Sequence, residues 1–284
     1  MRDRSTVCVY VIVVLAMLIA GTAPAAAQQP PQTSAGAVAE PGSPEGYHIE
    51  GAAGFWFPSS TLVVSSGGGG ALSGIVGTQI DGKTDLGFQD THFSELHVTF
   101  KPVTHAKFFF QYIPISYTAS SVLARDVVFN GIRYPVRIPV TSTFDWKAYR
   151  FGAEFDFIAN DRGYFGLLLE AKYTDVQVQL SSVVATEYAR ARAPIPAIGG
   201  TGRYYIIPSV SITGELSGFT LPSSLIKGDS GHYVDFGIYG TVNFNNNVGV
   251  QAGYRSFDVA YVVRPDNSGT FTLKGLYFGI VARY

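Results

Sequence analysis

The stretch TFTLKGLYFGIVARY, residues 270–284, closes the chain on an aromatic side chain. Every second residue counted back from the terminus is apolar: Tyr284, Ala282, Ile280, Phe278 and Leu276. A period of two is strand geometry, because successive side chains point to opposite faces of a sheet. Chain ends of soluble domains usually fray into water, so an apolar face that reaches the last residue is unusual. The stretch predicts a β-strand with one continuous apolar face.

Nine further runs show the same alternation and predict nine more strands, at residues 47–57, 93–101, 107–119, 143–157, 164–180, 188–207, 210–221, 232–244 and 248–263. The connections after the even-numbered strands are short and rich in turn-forming residues, as in the NDRG sequence at 160–163. Those after the first and third strands are long. Within the run at 164–180 the apolar residues change face near Thr174 and Asp175, which predicts a β-bulge there.

An even strand number, turns that are short on one side, and a terminal aromatic residue resemble the pattern of bacterial outer-membrane β-barrels. The resemblance implies an all-β fold over residues 46–284, a transmembrane antiparallel up-and-down β-barrel of ten strands, with roughly 8 to 12 possible. It also implies lipid against the apolar face, both termini in the periplasm, and recognition of the C-terminal strand by the barrel-assembly machinery. A soluble lipocalin-like barrel, which would bury the aromatic face, is the alternative.

The first 45 residues predict a targeting segment followed by a linker. A basic start, an apolar run and the small residues Ala25, Ala26 and Ala27 are typical of a secretory signal peptide over residues 1–27. An uncleaved anchor is the alternative. Residues 28–45 are rich in Pro, Ala and Gln and predict a periplasmic linker. The only cysteine, Cys8, lies in the predicted signal, so the mature chain would have no disulfide or thiolate metal site.

Composition excludes some partners and favours others. Charged residues make up 14% of the chain, against about 25% in typical soluble proteins. The formal net charge is −1, whereas a nucleic-acid-binding surface needs a basic patch. We therefore expect outer-membrane lipid as a partner and no nucleic acid.

If the apolar face meets lipid, the opposite face points into the lumen. The charged and polar residues assigned to that face are Glu50, Glu95, His97, Arg150, Glu154, Asp156, Glu170, Lys172, Arg190, Arg192, Glu215, Asp235 and Arg255. A barrel of this size is only modestly wider than an eight-stranded one, whose interior side chains fill. Buried charges need partners, so this set predicts a salt-bridged plug. A narrow polar path for small solutes is the alternative. With a plugged lumen, we expect a structural or interaction role, with an extracellular ligand at the loops 58–90 and 120–141.

Size and strand number are also similar to those of the omptin proteases, which are ten-stranded with acidic and histidine residues at the outer rim. The rim candidates here are Asp126, Asp145, Asp175, His232, Asp235 and Asp258. An outer-membrane lipid-modifying enzyme would need a lipid-facing Ser/His pair, and His232 lies on that face without an identified partner. No motif matches either class. The sequence therefore predicts that the protein is not an enzyme, with no catalytic, cofactor-binding or metal-ligating residues and no cofactor.

Overall fold

The computed structural model describes residues 45–68, 75–221, 229–263 and 267–284. Within these ranges the chain forms strands and connecting segments, and no helix is long and apolar enough to cross a membrane. The strands are β1 (Ile49–Ser66), β2 (Ile80–Asp81), β3 (Phe93–Val103), β4 (Ala106–Val122), β5 (Val127–Phe129), β6 (Ile132–Tyr134), β7 (Pro139–Asn160), β8 (Gly163–Ser182), β9 (Thr186–Ile207), β10 (Val210–Leu221), β11 (Asp229–Asn243), β12 (Val248–Val263) and β13 (Asn267–Arg283). The predicted signal peptide, and the predicted linker except residue 45, lie outside the described residues.

Ten of these strands close into one antiparallel barrel. They are β1, β3, β4 and β7 to β13, each paired with its neighbour in sequence order. The last strand returns to the first, with a continuous register from Glu50 opposite Arg283 to Ser66 opposite Asn267. Closure satisfies the hydrogen bonds that would otherwise be exposed along the two edges. The predicted all-β, ten-stranded barrel is confirmed.

The two ends of the barrel differ in their connections. At one end, called the near end, the turns are short, and Tyr284 donates its backbone N–H to the carbonyl of Ile49. At the opposite end, called the far end, the connections after β1 and β4 are long and contain β2 and the β5–β6 hairpin, whereas only residues 183–185 join β8 to β9. Strand β7 has 22 residues, about twice the 9–11 residues that cross a bilayer. The barrel is therefore much taller than one apolar span.

The near half of the barrel has an apolar outside and a polar inside. Its outward side chains form what we call the apolar band, which includes Phe55, Phe57, Phe110, Phe151, Phe155, Phe165, Leu169, Ile198, Leu216, Phe236, Ile238, Leu276, Phe278 and Ile280, all partly exposed. The inward side chains between them include Glu50, Lys107 and Arg150, which are buried. This arrangement is inverted relative to a soluble barrel and is typical of a membrane span.

The far half has the opposite polarity on the same two faces. Inward positions carry large buried apolar side chains such as Trp146, Val178 and Phe271, while outward positions carry residues such as Asp175 and Thr272. This is the arrangement of a β-barrel with water outside, because its apolar side chains are sheltered in the interior. One barrel thus contains a membrane-type half and a water-type half.

The polarity change explains why the bulge prediction is wrong. Strand β8 keeps an unbroken register with β7 from Thr174 through Leu180. Lys172 and Val178 therefore both point into the barrel. The interior is polar at the level of Lys172 and apolar at the level of Val178. The register irregularity between β7 and β8 lies instead at Asp156/Ile158, near the short turn. The environment changes along the strand, and the geometry does not.

A folded cap covers the far end. Strand β2 pairs with β1, and the backbone N–H of Thr78 donates to the carbonyl of Val128 in β5. The buried side chains of Leu86, Phe88, Phe129 and Tyr134 join the same apolar core as the far half of the barrel. Much of the predicted loop segments 58–90 and 120–141 is therefore strand or packed cap in the described residues.

An ion pair fastens the cap. Arg125 Nη2 lies 2.6 Å from Asp85 Oδ2, and its Nε donates to Oδ1 at 3.0 Å. The same guanidinium donates to the carbonyl of Gln79 at 2.5 Å. The hydrogen bonds from Arg125 lower the pKa of Asp85, so that the carboxylate stays charged and the pair persists at neutral pH. The cap is thus held by burial and by a bidentate contact.

Candidate functional site: the interior of the barrel

The lowest layer of the lumen is built around Arg203 of β9. Its guanidinium donates to both carboxylate oxygens of Glu50, at 3.0 and 2.8 Å, and approaches Glu45 at 3.2 Å. Arg283 of β13 donates to Glu50 from the other side at 2.5 Å. Strands β1 and β9 lie on opposite walls of the ring. The bonds between Arg203 and Glu50 therefore cross the lumen, and Glu45, the last residue of the predicted linker, lies inside it.

A second group of charges lies beside this layer. Lys107 Nζ lies 2.6 Å from Glu154 and 3.0 Å from Asp156, and all three side chains are at most 8% exposed. The ammonium also lies over the ring of Tyr164. Burial of so compact a cation is tolerated because two carboxylates and an aromatic face replace its water. The group occupies the part of the lumen that borders β4, β7 and β8.

The middle layer is organised around Arg150 of β7. Its Nε and Nη2 donate to one oxygen of Glu170 at 2.9 and 2.7 Å, and its Nη1 donates to Gln111 at 2.8 Å. Nη2 also donates to Glu215, and Asp235 lies 3.5 Å away. One guanidinium thus contacts side chains from four other strands. The planar fork of arginine can serve several acceptors at once, which a lysine ammonium cannot do with the same fixed geometry.

Two more cations complete the middle layer. Lys172 lies 3.2 Å from Asp235 and 3.1 Å from Glu170. Arg255 of β12 contacts Asp235 at 2.9 Å and Glu95 at 2.8 Å, and Glu95 also accepts from Gln111. The charges therefore alternate in sign through the layer. Such a network stabilises only while every member is paired.

The remaining space inside the polar layers is small. Two cavities have volumes of about 50 and 20 Å³ and share the lining residues Glu50, His97, Glu215 and Tyr239. A single water needs roughly 10–15 Å³ measured in this way. The cavities thus have room for a few waters among polar partners. His97 lies at their border, packed edge-on against Phe109 at 5.8 Å between ring centroids.

A cluster of buried aromatic side chains, called the aromatic plug, lies inside the barrel above the polar layers. It consists of Phe144 and Trp146 of β7, Tyr233 of β11, Phe257 of β12 and Phe271 of β13, and all five are buried. Trp146 and Phe257 meet at 4.9 Å between centroids although their strands lie on opposite walls of the ring. Phe144 and Phe271 meet at the same distance. Aromatic rings from opposite walls are therefore in contact inside the barrel.

Eleven of the thirteen predicted lumen residues lie inside the barrel: Glu50, Glu95, His97, Arg150, Glu154, Asp156, Glu170, Lys172, Glu215, Asp235 and Arg255. The structure contradicts the assignment of Arg190 and Arg192, which point outward in the far half and are 41% and 52% exposed. Both bind Asp175 on the outer wall. The neighbouring Ala189 is the residue that packs against the apolar core.

The structure also places the other predicted groups. Leu276, Phe278, Ile280, Ala282 and Tyr284 face outward, and Tyr277 and Arg283 face inward. Asp235, one of the rim candidates, is buried in the middle layer instead. Asp126 pairs with Arg133 beside the β5–β6 hairpin, Asp145 accepts from Ser116 at 2.6 Å, and Asp175 lies on the outer wall.

Sequence reasoning missed the aromatic plug and several charged residues of the interior: Glu45, Lys101, which lies 3.4 Å from Glu45, Lys107 and Arg203. A usable indication was present in β7, where Phe144 and Trp146 share the parity of Arg150. Apolar residues that share a strand face with charged residues indicate that the interior is polar in one half of the barrel and apolar in the other.

His232 does have a partner. Its Nε2 lies 2.8 Å from Asp258 Oδ1, and Thr272 donates to the other carboxylate oxygen at 2.8 Å. The group lies on the outer wall of the far half, with His232 46% exposed. A carboxylate that orients a histidine is a common element of general-base catalysis. Within the described ranges no cluster of three His, Asp or Glu side chains could hold a metal ion.

No family model and no curated protein matches this chain. Among solved structures, it resembles the outer-membrane protease OmpT from Escherichia coli, with a TM-score of 0.56 and 10% identity over 83% of this chain and 96% of that one. Ail, the attachment invasion locus protein of Yersinia pestis, gives a TM-score of 0.34 at 10% identity over 82% and 99%. The toluene transporter TodX of Pseudomonas putida gives 0.34 at 7% over 84% and 90%.

The chain therefore has the fold of a small ten-stranded outer-membrane β-barrel. The prediction that this chain is not an enzyme rested on the lack of a motif match, and the similarity to OmpT overturns it, because OmpT has the same fold and is a protease. At 10% identity the likeness is one of fold. It transfers neither a reaction nor a substrate.

Proposed function

We propose that the protein spans the outer membrane with its near end in the periplasm, and that it acts through the outer surface of its far half rather than by conducting solutes through its lumen. The proposal rests mainly on the contact between Trp146 and Phe257 across the barrel, which lies above two layers of paired charges. A rigid, water-type half raised above the membrane then offers an interaction surface. That surface includes the folded cap and the outer walls of β7 to β9.

The arrangement of charge supports a sealed interior. Conducting barrels keep an aqueous path lined by polar groups. Here the polar groups bind one another across the lumen, as Arg203 does with Glu50, and the next layer is apolar. An ion in transit would have to displace salt bridges and then cross a dry aromatic layer, which costs several kcal/mol or more. Conduction of small solutes, the alternative function, is therefore disfavoured.

We expect the purified protein to insert into planar lipid bilayers without producing stepwise ohmic conductance. The reason is the packed interior, in which Arg203 and Glu50 bind each other across the lumen and Trp146 meets Phe257 from the opposite wall. Single-channel recording in concentrated potassium chloride measures this directly. A trimeric porin added to the same bilayers serves as the positive control, and heat-modifiable migration of the recovered protein shows that it was folded. Regular conductance steps from folded protein would overturn the sealed-lumen proposal.

We expect a membrane-impermeant maleimide to distinguish the two ends of the barrel on intact cells. Val183→Cys at the far end, 90% exposed, should be labelled on whole cells. Asn246→Cys, exposed in the near-end turn between β11 and β12, should be labelled only after permeabilisation. Both changes are made in a Cys8→Ser background, since Cys8 is the only cysteine. The reverse pattern would contradict the proposed orientation, and equal labelling of both sites would contradict a membrane span.

A further inference from the structure

A row of tyrosines marks the upper edge of the apolar band on one side of the barrel. Tyr112 of β4, Tyr149 of β7 and Tyr173 of β8 are neighbours in register. The rings of Tyr112 and Tyr149 stack at 4.7 Å between centroids, and Tyr149 lies 6.3 Å from Tyr173. Below the row the outer wall carries Phe110 and Phe151. Tyrosines between an apolar span and a polar surface are typical of a membrane interface.

The next row up carries a cluster of cations. Lys147, Asp175 and Arg192 are neighbours in register across β7, β8 and β9, directly above the tyrosines. Asp175 accepts from Arg190 at 2.8 and 2.6 Å and from Arg192 at 3.2 Å. Lys147 is exposed. One carboxylate thus holds two guanidiniums, and with Lys147 the cluster carries two positive charges in excess.

The charge is not cancelled by the surroundings on the outer wall. The neighbouring acid is Asp145, one row further from the band, which accepts a hydrogen bond from Ser116 at 2.6 Å. Gln177, between Asp145 and Arg190 in register, is neutral. Counting Asp145, one positive charge remains in excess. The excess is concentrated in the row next to the tyrosines.

We propose that Lys147, Arg190 and Arg192 bind the phosphate headgroup of a lipid in the leaflet that borders the far half. Arginine forks match phosphate oxygens, and Asp175 holds both forks in place before a ligand arrives. The acyl chains would lie against the apolar band, with the tyrosine row at the level of the glycerol or sugar. The site rests on the proposed membrane position of the band, but it does not depend on whether the lumen conducts.

Binding of phosphatidic acid in dodecylmaltoside micelles, followed by native mass spectrometry, tests the site. The wild type should bind phosphatidic acid at least about tenfold more tightly than phosphatidylcholine, and Arg190→Gln with Arg192→Gln should abolish most of that preference. The matched control is Arg133→Gln with Arg137→Gln, which removes the same charge from the exposed β5–β6 region. It should bind like the wild type. Heat-modifiable migration of all three proteins shows that each is folded.

Three results would overturn the proposal. The first is equal binding of the two lipids by the wild type. The second is an equal loss in the test and control variants, which would show a general charge effect. The third is displacement of phosphatidic acid by inorganic phosphate at the same concentration, which would show a site for soluble anions. Because the measurement is made in micelles, conductance in planar bilayers remains a separate test of the sealed lumen.

Discussion

Replacing Arg150 by methionine is expected to lower the free energy of unfolding by about 3–5 kcal/mol. The guanidinium is the shared donor for Glu170, Glu215 and Gln111 in the interior of the barrel, where Arg150 is 4% exposed. Methionine fills much of the volume but leaves carboxylates without their partner in a low-dielectric interior. Urea unfolding of the protein refolded in lipid vesicles, followed by tryptophan fluorescence, measures the loss.

The matched control for Arg150→Met is Arg192→Met on the outer wall. Arg192 shares Asp175 with Arg190 and is half-exposed, so its loss should cost less than about 1 kcal/mol. Adding Glu215→Gln to Arg150→Met should recover part of the lost stability, because it removes one of the unpaired charges. Equal effects of the two arginine substitutions would show that the lumen network contributes no more to stability than an ion pair on the outer wall.

The barrel itself could be predicted from the sequence because its pattern is local. Each strand alternates, and the short turns carry residues with known turn preferences, so strand positions came within a few residues of those observed, except that β1 continues to Ser66 beyond its predicted end at Phe57. The parity also placed Glu50, Arg150 and Asp235 on one face, since alternation fixes which side chains share a side. Which of them bind each other across the ring could not be predicted, because those pairs are far apart in sequence.

The polarity of each face could not be assigned by parity alone. Parity says that Lys172 and Val178 share a side, but whether an apolar residue belongs inside depends on whether lipid or water lies outside at that height. The same reasoning led to the wrong assignment of Arg190 and Arg192, whose charge suggested the lumen. Above the apolar band the rule reverses, and charged residues belong on the outer wall. The height of each residue above the membrane is a property of the assembled barrel.

The cap escaped prediction for a related reason. Its apolar side chains, such as Leu86 and Phe129, come from segments with little regular alternation and are buried only because two separate connections pack together. Such contacts are non-local and leave little periodic trace in either segment. The cap, which is part of the proposed interaction surface, therefore lies in segments where the sequence pattern is weak.

Replacing Trp146 by alanine is expected to lower the free energy of unfolding by about 3–5 kcal/mol. The indole is 3% exposed and meets Phe144, Phe257 and Phe271, with its nearest ring centroids 4.9 and 5.0 Å away. Alanine would leave a cavity at the point where opposite walls touch, and rigid strands can close it only in part. Urea unfolding can be followed through Trp56, the other of the two tryptophans, which is fully buried in the same core.

The control for Trp146→Ala is Tyr188→Ala, which removes an aromatic side chain that is 62% exposed on the outer wall of β9. Its effect should stay within about 0.5 kcal/mol, as for most surface positions. If the interior of the far half were open rather than packed, the two substitutions would lower the free energy of unfolding by about the same amount. A large difference between them, with heat-modifiable migration retained in both, is what a packed aromatic plug requires, because only the buried ring spans the lumen.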